Sequence, residues 1–179
     1  REASSSVCTP RTFVNMNDVI RRCLRLVDTM QYKVSMDLGD IPEIEASFSD
    51  LQVVLTNLIH NAMDAMPGGG SLSFSTRVHA DTILIMVEDT GEGIPDDLKS
   101  RVWEPYFSGK ISRVGNSTAG RGWGLTIVNR IVDEHGGTIR FTSEPGAGTR
   151  FTITLPAHSA SGMVLSESDN VVPLPLKRR

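Results

Sequence analysis

Apolar and polar positions switch between two periods along this chain, and the switches divide it into elements. Val19, Ile20, Cys23, Leu24, Val27 and Met30 recur at helical spacing behind Asn15 or Asn17, either of which can cap a helix. Tyr32 to Met36 alternates as a strand does, and Asp40-Ile41-Pro42 turns the chain. A second helix is expected to start at a cap on Ser49 or Asp50 and to run to about Met66. Leu51, Leu55, Leu58, Ala62 and Ala65 form its apolar stripe, while Asn57, Asn61 and Asp64 form a polar stripe on another face. Pro67-Gly68-Gly69-Gly70 ends it. Leu72, Phe74, Thr76 and Val78 then alternate as on a half-buried strand, and Ile83 to Val87 is apolar on both faces, as in a central strand. Asp96 to Trp103 reads as a short helix. A third long helix begins near Gly122, carries Leu125, Val128, Ile131 and Val132 on its core face, and ends at Gly136-Gly137. Strands at Thr138 to Thr142 and Arg150 to Leu155, joined by a turn at Pro145-Gly146, complete the pattern. The intermixed helices and strands predict an α/β fold. It would be a two-layer sandwich, with a mixed, largely antiparallel sheet covered on one face by three helices.

Composition narrows this little. The formal net charge of -3 offers no bulk attraction for nucleic acid. The longest apolar run, Thr82 to Val87, is strand-sized, so no membrane contact is expected from this fragment and a cytoplasmic location is expected for the domain. No signal peptide is visible. Cys8 lies in a Ser-rich lead-in and Cys23 on an apolar helix face, which fits one buried, reduced thiol better than a disulfide. Ser4-Ser5-Ser6 and Pro10 mark residues 1–14 as a linker, residues 15–156 as the folded domain, and the Ser-rich residues 157–179 as a flexible C-terminal linker or tail. The first residue is Arg1, so the chain is expected to be part of a longer protein.

The candidate chemistry sits in four ordered clusters: NLIHNAMDAM (Asn57 to Met66), EDTGEGIP (Glu88 to Pro95), GRGWGL (Gly120 to Leu125) and GAGTRF (Gly146 to Phe151). Each alone is ordinary, as a solvated helix face or a turn. Three glycine clusters behind one polar helix suggest a nucleotide pocket, because glycine lets a ligand approach the backbone. The common phosphate loops do not fit. Glu104 and Ile111 occupy the Gly and Ser/Thr places around Gly109-Lys110, and Asp96 and Ile127 occupy the third-glycine places after Gly91-x-Gly93 and Gly122-x-Gly124. His60, His79, His135 and His158 show no metal-ligand spacing.

Over roughly residues 15 to 156, the four clusters resemble the asparagine box and three glycine boxes of the GHKL ATP-binding superfamily, and Trp103 to Lys110 (WEPYFSGK) resembles the phenylalanine box of its sensor histidine kinases. The resemblance implies that Asp89 accepts a hydrogen bond from the adenine amino group, with Gly91 and Gly93 keeping the base site open beside the backbone. Asn61 would bind Mg²⁺ through its amide oxygen, a hard ligand for a hard cation. Asn57 would face the phosphates or the metal's waters. The backbone of Gly122, Trp123, Gly124 and Leu125 would receive phosphate at a helix start. Lys110, with Arg121 or Arg113, would bring positive charge from a lid spanning the polar residues 108–119. Thr149 would lie beneath the adenine. Asp64, Ile94 and Phe107 belong to the implied pocket as well. Asn57, Asn61 and Lys110 are the residues to which catalysis would be assigned. The family's usual residues are replaced at Trp103, Arg121 and Trp123, changes read as tuning of the lid.

One position bears on the reaction. Hydrolysing members of the superfamily carry Glu four residues before the metal-binding Asn, to activate water. Here that residue is Asn57, and an amide takes no proton from water. The resemblance therefore implies a kinase that transfers the γ-phosphate of Mg-ATP to a histidine of an upstream dimerisation and phospho-acceptor domain. The group would pass on to the aspartate of a response-regulator receiver domain, and the C-terminal PLPLKRR resembles the approach to such a domain, with a disordered C-terminus as the alternative. Two alternatives share the pattern: an ATP-binding regulatory or scaffold module without transfer activity, and a serine kinase that opposes a sigma factor.

Overall fold

A computed structural model describes residues 10–104 and 124–157. Within them lie β1 (Thr12–Val14), α1 (Met16–Leu26), β2 (Tyr32–Leu38), β3 (Ile44–Ala46), α2 (Phe48–Asp64), β4 (Gly70–His79), β5 (Thr82–Asp89), α3 (Gly124–Glu134), β6 (Thr138–Glu144) and β7 (Gly148–Pro156). Five strands form the main sheet in the order β2-β4-β5-β7-β6. The β2–β4 pairing is parallel, and the β4–β5, β5–β7 and β6–β7 pairings are antiparallel. This is the expected α/β two-layer sandwich.

Register decides which side of each strand is buried. Phe74, Val87 and Phe151 stand opposite one another across β4, β5 and β7, as do Ile85 and Ile153 on the central pair. All five are buried, with their sequence neighbours on the other face of the sheet. The three helices cover this apolar face, with α2 packed against both α1 and α3. Leu51, Leu55 and Leu58 of α2 are almost fully buried. Each contributes about 1.5–3 kcal/mol from removal of its side chain from water. Val54 and Ile59 are buried as well, so α2 is apolar over a wider arc than one stripe, as suits a helix with neighbours on two sides. No helix among the described residues is long and apolar enough to cross a membrane.

Several local expectations are revised. Asn15 caps α1 by accepting from the Asn17 N–H at 2.9 Å, while Asn17 itself is buried. Its side chain receives the Thr76 hydroxyl at 2.8 Å and donates to the Gly39 carbonyl at 2.9 Å, which ties α1 to the sheet. The helix stops at Leu26, so Val27 and Met30 do not extend its face. The Asp28 carboxylate accepts from the Met30 N–H and helps turn the chain, leaving Met30 95% exposed. Ser47, not Ser49 or Asp50, caps α2, its hydroxyl accepting from the Asp50 N–H. Residues 96–103 form successive turns rather than a helix. Their carbonyl bonds span three residues, as from Leu98 N–H to Pro95 and from Arg101 N–H to Leu98. Residues 12–14, inside the stretch whose composition reads as a linker, pair antiparallel with β3.

Candidate functional site

The end of β5 holds the most unusual carboxylate in the described structure. Asp89 is 5% exposed, the last residue of a strand that is buried at every second position. Its Oδ1 accepts from the Gly91 N–H at 2.8 Å and, more weakly, from the Thr149 N–H at 3.3 Å. Burial pushes the carboxyl above its ordinary range, the two N–H bonds pull it back, and the charge on adjacent Glu88 adds to the rise. With Oδ1 taken up by the backbone, Oδ2 is the atom left to accept from a ligand.

The backbone around Asp89 is close-packed. A side-chain carbon on Gly91 would lie 2.6 Å from Ala65 Cβ and 2.8 Å from Asp89 Oδ1. Gly148 has a φ of 97°, and a side chain there would run into the Asp89 carbonyl. The loop carrying Gly91, Gly93 and Ile94 is pinned on both sides. Glu92 donates its N–H to the Ala65 carbonyl at 3.0 Å and accepts from Gly146 N–H at 2.7 Å. Ile94 donates its N–H to the Ser143 hydroxyl at 2.8 Å. Thr149 is buried directly opposite Asp89 in the β5–β7 register.

The second centre is where α2 meets the start of α3. Asn57 uses its side-chain NH2 to donate to the Val53 carbonyl at 2.8 Å, one turn back. That leaves its oxygen facing α3, where a side-chain carbon on Gly124 would lie 3.1 Å from Asn57 Oδ1 and 3.9 Å from Asn61 Oδ1. Both asparagines are half-buried, whereas Asp64 is exposed at the last turn of α2. The first turn of α3 also binds the run of turns that ends at Trp103, since the Thr126 hydroxyl donates to the Trp103 carbonyl at 3.2 Å. Trp103 packs against Phe141 and Phe151, with ring centroids 5.8 Å and 6.5 Å away. Leu125 packs against the core from the same turn.

The structure therefore gathers Asp89, Gly91, Gly93, Ile94 and Thr149 at one centre and Asn57, Asn61, Gly124 and Leu125 at the other. Phe107, Lys110, Arg121, Gly122 and Trp123, with Arg113 and the expected lid, lie outside the described residues. Two connections carry no signature in the sequence. Ser143 joins the loop after β5 to the β6–β7 hairpin. His135 spans the helices, its Nε2 accepting from the Ser47 N–H at 3.1 Å while Nδ1 lies 2.7 Å from the Ile131 carbonyl.

Comparison with known proteins gives consistent results. The family described as histidine kinase-, DNA gyrase B- and HSP90-like ATPase matches residues 47–159. The chain is 37% identical over 152 residues to the sensor-like histidine kinase SenX3 of Mycobacterium tuberculosis, covering 80% of this chain and 37% of that protein. It is 35% identical over 130 residues to the alginate biosynthesis sensor protein KinB of Pseudomonas aeruginosa, covering 72% of this chain and 21% of that protein. It thus spans well under half the length of these curated relatives. Among solved structures, the nucleotide-free catalytic domain of the histidine kinase ThkA superposes with a TM-score of 0.69 at 26% identity, over 83% of this chain and 97% of that one.

Proposed function

Since the chain belongs to the histidine kinase-, DNA gyrase B- and HSP90-like ATPase family, we propose that it is the ATP-binding catalytic domain of a sensor histidine kinase. The observation that carries this reading is the meeting of Asn57 and Asn61 with Gly124. Two amide oxygens face the first residue of α3, with a buried carboxylate, Asp89, at the other centre. Asp89 Oδ2 accepts from the adenine amino group; guanine presents a carbonyl oxygen there and is rejected. Thr149 and the loop from Gly91 to Ile94 hold the base. The phosphates extend toward the start of α3, whose unsatisfied N–H groups and dipole favour anions.

The residues present also fit Mg²⁺. A neutral amide oxygen from Asn61 suits a cation that draws its other ligands from phosphate and water. When bound, the ion neutralises the charge that builds on the phosphates. Asn57 orients them and supplies no base for water, which favours transfer over hydrolysis. In the transfer, a histidine nitrogen of a dimerisation domain forms a bond to the γ-phosphorus as the bond to the ADP oxygen breaks. The phosphoryl group then passes to a receiver-domain aspartate, which places the domain in the cytoplasm.

Calorimetric titration of the chain with a non-hydrolysable ATP analogue, with and without Mg²⁺ and beside the GTP analogue, tests the pocket. Addition of a histidine-bearing acceptor domain and labelled ATP tests transfer. Saturable, Mg²⁺-dependent, adenine-selective binding with acid-labile phosphorylation is expected. Binding without phosphorylation would favour a regulatory module, and acid-stable phosphoserine on a partner would favour the serine-kinase alternative.

A further inference from the structure

Ser143 lies on β6 directly opposite Thr149 of β7, behind the base end of the site. Its hydroxyl accepts from the Ile94 N–H at 2.8 Å, and lies 3.0 Å from the Gly148 carbonyl and 2.9 Å from the Thr149 hydroxyl. Two segments therefore meet on one oxygen: the loop following Asp89, and the start of β7 at Gly148 and Thr149, the latter's N–H approaching Asp89 Oδ1. A serine hydroxyl has one hydrogen and two lone pairs. The Ile94 N–H takes one lone pair. If the hydrogen goes to the Gly148 carbonyl, the Thr149 hydroxyl donates to the second lone pair and offers a ligand only acceptors. If it goes to Thr149, the Thr149 hydrogen is released and can donate to a ligand.

We infer that Ser143 is a positioning residue for nucleobase selection. Its hydroxyl locks the loop from Gly91 to Ile94 against the β6–β7 hairpin and sets which way the Thr149 hydroxyl points its proton beside Asp89. The inference rests on the assignment of Asp89 to the base, and it extends that assignment from a single carboxylate to a wired pair. Adenine and hypoxanthine, which carries a carbonyl oxygen in place of the amino group, present opposite hydrogen-bonding character at that edge. Fixing Thr149 and the loop raises the penalty for the wrong edge, because a buried polar group then has no alternative partner.

The test compares Ser143→Ala and Ser143→Thr with the parent chain, titrating non-hydrolysable analogues of ATP and inosine triphosphate in the presence of Mg²⁺. Thermal unfolding of each variant defines the temperature at which all are folded. Ser143→Ala is expected to weaken the ATP analogue by about five- to tenfold, the equivalent of one lost hydrogen bond. Preference over the inosine analogue should shrink with it. Ser143→Thr, which keeps the hydroxyl, should restore both. Should Ser143→Ala fail to fold, Ser143→Cys preserves the size while weakening the hydrogen bonds, and is read in the same way. Parent-like binding by Ser143→Ala, an equal loss for both nucleotides, or failure of threonine to rescue would overturn the inference. Asp89→Asn is titrated alongside. Loss there with no effect at Ser143 refutes only the role of Ser143, whereas no effect at Asp89 refutes the base assignment itself.

Discussion

Asp89→Asn separates binding from stability, because the two are set by different oxygens of one side chain. The amide oxygen of asparagine can keep the bonds that Oδ1 receives from the Gly91 and Thr149 N–H groups at 2.8 Å and 3.3 Å. The NH2 replaces Oδ2, so a donor meets the adenine amino group, itself a donor. A hydrogen bond to a charged acceptor is lost, worth about 1.5–3 kcal/mol, and a buried donor is left unpaired at about 1–3 kcal/mol. Together these amount to at least about 2.5 kcal/mol, or about sixtyfold in Kd. The same NH2 matches the guanine carbonyl, so selectivity for ATP over GTP should collapse. Stability moves the other way. Burial raises the Asp89 carboxyl above its unfolded value. The stabilisation linked to that rise is therefore present in acid and lost as pH climbs through the folded pKa, where the charge must be held with little water. The neutral asparagine escapes this cost, so the unliganded variant should unfold at or above the parent's Tm at pH 7, and the difference should vanish toward acid. ATP affinity of the parent should fall on acidification through the raised pKa, and that fall should be absent in the variant. Calorimetric titration and thermal unfolding across pH read both quantities. An ATP-analogue Kd within about twofold of the parent, well short of one lost hydrogen bond, would refute the assignment of Oδ2 to the base.

Three further outcomes are expected. Asn61→Ala should abolish the Mg²⁺-dependent part of nucleotide binding; titration with and without the ion measures it, and undiminished affinity would remove Asn61 from the metal site. Gly148→Ala should destabilise the domain by about 1–3 kcal/mol through collision with the Asp89 carbonyl, besides the strain of its positive φ; denaturant unfolding gives the value, and a neutral result would show that the β7 entry can shift. His135→Ala should cost about 1–3 kcal/mol by stripping the Ser47 N–H of its partner. His135→Gln should recover part of that loss, because its amide oxygen can reach the place of Nε2; equal Tm values for all three would mean that water replaces the imidazole.

The sequence by itself determined most of the elements and pointed to the residues of the candidate site. The stripe of Leu51, Leu55 and Leu58 marks a helix face turned to a core, and Ile83 to Val87, a short run rich in β-branched residues, reads as a central strand. Asn57, Asn61, Asp89 and the glycine clusters were legible because a backbone that must pass close to other groups leaves glycine in the chain, as at Gly91 and Gly148. Boundaries were less legible. Met30 has the right spacing for α1 but the wrong environment, because Asp28 turns the chain before a further turn of helix can form. Ser47 rather than Ser49 caps α2, since Ser47, Ser49 and Asp50 lie within four positions, offer nearly equal local choices, and packing selects among them. Only the tertiary structure decided that Ser143 and His135 matter. Each is one polar residue at an unremarkable position, and one of its partners lies far away in sequence: Ile94 for Ser143 and Ser47 for His135. Periodicity records which way a side chain faces relative to its own element. It holds no record of which distant N–H arrives at the same oxygen or nitrogen, because that depends on how the whole sheet and its helices close together.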